Sequence, residues 1–281
     1  MSTYSQIRGT KIIITDEDIS LNSLELGQFY IKHTGNEIAL KGVTFGGFWT
    51  AGGALATGRH SLAGAGTNTA ALAFGGNIGG AAACTESYNG TSWTAGGSLG
   101  TARSCLAGAG TNTAALAFGG NGADGLYDSV CTESYNGTSW TAGGTMGTGR
   151  IKLAGAGASN TAALAFGGSN MDGRHTSTES YNGTSWTAGG ALATARCSLA
   201  GAGTNTAALA FGGYGSAGYL TCTESYNGST WSAVGTMGTA RYNLAGAGTN
   251  TAALGFGGYN YPGGTLTCTE SYIFGKICKN F

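Results

Sequence analysis

Ten charged residues recur in step along this chain, and they are the first candidates for chemistry. Arg59, Arg103, Arg150, Arg196 and Arg241 are followed, 27 to 30 residues later in each case, by Glu86, Glu133, Glu179, Glu224 and Glu270. Only 9% of the 281 residues are charged, against a typical ~25%. A chain so poor in charge that keeps one guanidinium and one carboxylate per unit is expected to pair them as partly buried bridges, which need both partners.

The other reactive side chains form no such pattern. Cys84, Cys131, Cys222 and Cys268 each precede Thr-Glu-Ser, with Ser177 in that place in the third unit. Equivalent positions on different units of a repeat lie beyond the ~7 Å Cα reach of a disulfide. There is no C-x-x-C, and His33, His60 and His175 fall at unrelated positions. Neither zinc nor any other metal or cofactor is therefore expected. Gly120-x-Gly122-x-x-Gly125 and Gly213-x-Gly215-x-x-Gly218 fit a dinucleotide fingerprint in form. No helix follows either one to present its N-terminus to a pyrophosphate. Asn89-Gly90-Thr91, Asn136-Gly137-Thr138, Asn182-Gly183-Thr184 and Asn227-Gly228-Ser229 are formal glycosylation sequons, but Asn-Gly is also the strongest two-residue hairpin signal. With no nucleophile–base pair or paired carboxylates, the expectation is a protein that is not an enzyme.

The elements that must position these residues are repeats. Trp49, Trp93, Trp140, Trp186 and Trp231 are spaced by 44, 47, 46 and 45 residues. Each opens the same pattern: W-[TS]-A, an Arg ten residues on, LAGAG, a short polar turn, TAAL-[AG]-F, a Gly-Gly doublet, a variable stretch and TESY. Repeats of this length mean a propeller, a solenoid or an array. Each unit reads as four short strands: R-x-x-LAGAG, TAALAF, TESY and TSWTA. Four-stranded units repeated radially make a β-propeller. The expected fold is all-β: a five-bladed β-propeller of four-stranded antiparallel blades over 42–275, behind a short β-rich N-terminal segment over 1–41 and ahead of a tail over 276–281. The 55 glycines suit innermost strands that crowd an axis.

The order Arg, Gly-Gly, Tyr, Trp, five times over, resembles the Kelch repeat. The resemblance covers about 42–275 and implies a propeller that recognises partners. Five blades is few for that family, and the count and repeat length are closer to five-bladed lectin propellers of the tachylectin type, which lack the Arg and Gly-Gly markers. Fucose-binding propeller lectins use Arg, Glu and Trp, so one glycan site per blade is the alternative role for the ten charges. S-Y-N-G-T-S-W resembles the Asp box of sialidase propellers but is one residue short and carries Asn for Asp, and the Tyr and His set of galactose-oxidase copper chemistry is missing.

In the last unit TESY leads into Ile273-Phe274-Gly275, so the Asn-Gly turn is gone and Ile277 stands where Trp is expected. The segment around Trp49 is therefore expected to complete the last blade and clasp the ring. Residues 1–41 carry 9 of the 26 charges and none of the repeat. KIIIT, QFYIKHT and EIALK read as short strands, too small to hold a core alone and so expected to oligomerise or dock. Their tone loosely resembles N-terminal attachment segments of phage tail fibres, which implies partners among other virion proteins or further copies of the chain. The apolar cluster Ile12–Ile14 is closed off by Asp16, Glu17 and Asp18, so no secretory signal is expected. No apolar run approaches the ~18 residues of a membrane span. A formal net charge of zero argues against nucleic acid and anionic membranes as partners.

In such blades the loops joining strands one to two and three to four share one face, where the units are nearly identical. On the opposite face the stretch after Gly-Gly runs 8, 11, 9, 9 and 10 residues with unrelated content, and the two residues after each Arg differ too. Variation confined to one face predicts a recognition surface built from His60, Ser61, Asn121, Asp124, Tyr127, Asp128, Lys152, Asn170, Arg174, His175, Tyr214, Tyr219, Tyr242, Asn243, Tyr259 and Tyr261. Tyr with Asn, Ser and Gly is a palette of rigid contact area and adaptable hydrogen bonds. The expected function is a non-enzymatic recognition or structural module of a phage virion appendage or capsid surface, binding a host-surface glycan or protein. The alternatives are a soluble lectin with one site per blade and an intracellular protein-interaction adaptor.

Overall fold

A computed structural model describes residues 12–15, 29–34, 37–42, 51–122 and 128–274. Contacts divide the chain into two units, Met1–Ala51 and Gly52–Phe281. In the first, Ile12–Thr15 pairs in parallel with Phe29–Thr34, which pairs antiparallel with Glu37–Gly42.

The second unit is a β-propeller of five blades. Blade 1 comprises Ala63–Thr67, Ala70–Phe74, Thr85–Tyr88 and Trp93–Ala95, antiparallel in chain order. Blades 2, 3 and 4 repeat this with four strands each, beginning at Ala107, Ala154 and Ala200. Blade 5 has three described strands, Ala245–Gly248, Ala252–Phe256 and Thr269–Ile273. Trp49 and the tail over 276–281 lie outside the described residues, as does the clasp expected there.

The innermost strands are glycine-rich because the blades meet at van der Waals distance. A Cβ on Gly155 would stand 2.8 Å from the Phe118 ring and 2.6 Å from the Gly108 carbonyl oxygen of the preceding blade. Outward from there, Phe74, Leu72, Ala115, Ala117 and Leu106 bury themselves between blades 1 and 2, and the next two junctions use the equivalent residues. Trp140 of blade 2 packs its ring 4.9 Å from Phe74 and donates its indole N–H to Thr85 Oγ1 at 2.9 Å. Trp186 and Trp231 repeat both contacts one and two blades on. A polar handle satisfied inside an apolar contact lets each Trp bury most of its ring.

The Asn-Gly turns cap the outer strands. Asn136 Oδ1 accepts the N–H groups of Thr138 and Ser139 at 3.0 and 2.9 Å, with Gly137 at φ 95°. The side chain thereby supplies the acceptor the turn lacks.

On the opposite face the variable stretches of the last three blades fold into small hairpins: Ser169–Asn170 with Gly173–Arg174, Tyr214–Gly215 with Gly218–Tyr219, and Tyr259–Asn260 with Gly264–Thr265. Every stretch is pinched at its base, where the second glycine of the doublet accepts an N–H from the returning chain. Those bonds run from Ala82 to Gly76, Ser129 to Gly120, His175 to Gly168, Leu220 to Gly213 and Leu266 to Gly258, at 2.8 to 3.0 Å.

Candidate functional site

The recognition surface is built upward from the arginine clamps. Arg103 is fully buried; its Nη1 donates to the carbonyls of Gly119 and Cys131 at 3.1 and 2.8 Å, the two ends of the variable stretch of its own blade. Its Nη2 donates to Glu133 Oε1 at 2.9 Å, and Glu133 Oε2 accepts the Gly100 N–H at 2.6 Å. Arg59–Glu86, Arg150–Glu179 and Arg196–Glu224 pair at 2.8 to 3.0 Å, and Arg241 pairs with Glu270. Burial pulls the Arg103 and Arg150 guanidinium pKa values below their ordinary level, and Glu133 and Glu179 oppose the shift. The ten charges thus hold the roots of the variable loops and face one another.

Near the axis the residues two places after each arginine stand in a circle. Ser61, Cys105, Lys152, Ser198 and Asn243 all adopt φ of 53 to 54°, the left-handed region, without being glycine. Cys105 N–H donates to the Ser61 carbonyl, Lys152 to Cys105, Ser198 to Lys152 and Asn243 to Ser198, at 2.8 to 2.9 Å. These five residues, with His60 and leucines beneath them, line an axial funnel of about 730 Å³. Cys105 and Ser198 were not among the expected recognition residues. Their equivalence in register to Ser61, Lys152 and Asn243 was the signal that could have found them.

Over blades 4 and 5, the small hairpins and Tyr242, which bridges to Tyr259, bring four tyrosines into one ladder. The rings of Tyr214 and Tyr219 lie 5.4 Å apart, Tyr219 and Tyr242 stack at 5.3 Å, and Tyr242 meets Tyr259 edge-on at 5.7 Å. Arg174, from the hairpin of blade 3, lays its guanidinium over the Tyr214 ring, 4.5 Å from the centroid. Burial, with the neighbouring phenols of Tyr242, Tyr259, Tyr214 and Tyr261, raises the Tyr219 pKa above its ordinary value.

The remaining expected residues surround these two features. Tyr261 is 73% exposed. Asp128 accepts the Met171 N–H at 3.2 Å, tying the stretches of blades 2 and 3 together, and Asn170 Oδ1 accepts the Asp172 N–H. Asn121 pairs with Ser104. His175 is half-buried, and burial and the Arg150 charge lower its pKa. Asp124 and Tyr127 lie outside the described residues. Among the described residues no three of His, Cys, Asp and Glu come together as a metal site. No protein-family model matches the chain, and no curated protein matches it.

Proposed function

We propose that this protein is a non-enzymatic recognition module, a Kelch-type propeller carried on a phage virion appendage or capsid surface, that binds a host-surface glycan or protein through its variable face. Residues 1–41 attach it to other virion proteins or to further copies of itself. The observation that supports this reading is the tyrosine ladder. Tyr214, Tyr219, Tyr242 and Tyr259 stand only where the units diverge, and their mutual packing removes the ordering cost that a flexible binding loop would incur. A site in every blade built on Arg, Glu and Trp is disfavoured, because each guanidinium is spent on its own glutamate and loop carbonyls.

The test is binding of the fluorescently labelled full chain to host cells and to a glycan array, with immunogold labelling of particles for its place on the virion. Tyr219→Ala and Tyr242→Ala should each weaken binding by about tenfold or more, the loss expected of an aromatic contact centre. Thr138→Ala, on the uniform hairpin tips, should leave it unchanged. The reverse pattern would sink the assignment of the face.

A further inference from the structure

The charge inventory of the propeller singles out one group on the ladder. Its five clamp arginines are each held by a glutamate. Among the described residues of the blades, the cations outside those pairs are Lys152, at the axis, and Arg174, on the ladder. Arg174 is exposed, and the one described interaction of its side chain is the contact with the Tyr214 ring. The contact holds the guanidinium over the ring, and among the described residues no acceptor takes its N–H groups. A guanidinium held in this way is suited to take a carboxylate or sulfate through two parallel hydrogen bonds.

Asp172 and Asp128 stand on the blade 3 side of Arg174, and tyrosines stand on the other. Tyr214, Tyr219 and Tyr242 touch one another at 5.3 to 6.0 Å between centroids. Each is half-buried and carries a hydroxyl that can donate and accept. Flat rings suit the C–H faces of pyranoses, and phenols suit their hydroxyls. The rings contact each other rather than enclosing a hollow, so they do not form a cage for a quaternary ammonium group. The ladder also already carries a cation of its own at one end.

From this we infer that the tyrosine ladder and Arg174 form a site for an acidic oligosaccharide, with the sugar lying along the edge of the ladder at Tyr214, Tyr219 and Tyr242 and an anionic substituent held by Arg174. The inference rests on the recognition reading above and narrows it to one ligand chemistry. A uronic-acid carboxylate and a sulfate ester share that chemistry.

Calorimetric titration of the full chain tests it with three probes: tetragalacturonate, its fully methyl-esterified counterpart, and a kappa-carrageenan tetrasaccharide, which carries sulfate esters and no uronic acid. At least one acidic probe should bind about tenfold tighter than the neutral ester, and which one does so tells carboxylate from sulfate. Arg174→Gln should erase that preference, Arg174→Lys should retain part of it, and Tyr219→Ala should weaken all three probes, with melting curves confirming that each variant is folded. Equal affinity for acid and ester, or a preference untouched by Arg174→Gln, overturns the role of charge and leaves a glycan-binding face standing. Tyr219-dependent binding of a Glu-rich peptide without any saccharide overturns the ligand class and leaves a recognition face standing. Saccharide binding indifferent to Tyr219→Ala overturns both the inference and the reading beneath it.

Discussion

The Arg103 guanidinium is fully buried, and the chain surrounds it with a carboxylate and two carbonyls. Removing one member of such a buried pair strands the other. Arg103→Ala is therefore expected to cost about 3–5 kcal/mol, read as a lowered urea midpoint with an unchanged slope. The double replacement Arg103→Met with Glu133→Leu should cost less than Arg103→Ala alone, since it strands no charge. The pairing partners could be read in the sequence because charge is so scarce that each Arg has one candidate Glu per unit. The second duty of the arginines was not legible: the carbonyls of Gly119 and Cys131 carry no side-chain signal. The ladder was half legible. Divergence marked Tyr214, Tyr219, Tyr242 and Tyr259 as surface residues, but their contact depends on hairpin geometry and on the meeting of two blades.

The strands announce themselves through alternation and turn chemistry, as TAALAF between a polar turn and Gly-Gly and as TESY before Asn-Gly. The small hairpins on the variable face were hidden. Tyr214-Gly215-Ser216-Ala217-Gly218-Tyr219 has two-residue strands with no apolar alternation, and Gly218 at φ 98° closes the turn. The bond from one blade's Trp to the preceding blade's Thr was equally invisible, since it joins residues more than fifty positions apart. It makes the outer strands interdependent. Thr132→Val keeps the shape but leaves the Trp186 indole N–H without its acceptor, and should cost about 1–3 kcal/mol in a denaturant melt. Thr132→Ser, which restores the oxygen, should recover most of that loss. No loss in Thr132→Val would show that the Trp is held by ring packing alone.

At the scale of the molecule, four blade-to-blade junctions carry the same bonds near the axis. None of those bonds links described residues of the fifth blade to the first. Leu254 is 43% exposed, while its counterparts Leu72, Leu116, Leu164 and Leu209 are at most 1% exposed. Repeat assemblies gain stability from packing between units, and the lower burial of Leu254 makes the last blade the one expected to open first. Hydrogen exchange should find the amides of Ala252–Phe256 opening faster than those of Ala208–Phe211, and equal rates across the two strands would refute that order. Five blades could be counted from the tryptophans, while the clasp expected at the last junction falls outside the described residues. The pinch at the base of each variable stretch has a different consequence. All five loops leave and rejoin the scaffold through one shared fastening, a glycine carbonyl and an arginine clamp, so a rim loop behaves as an interchangeable cassette. Transplanting 214–222 into another blade should carry its tyrosines along without rewriting the wedge that receives them.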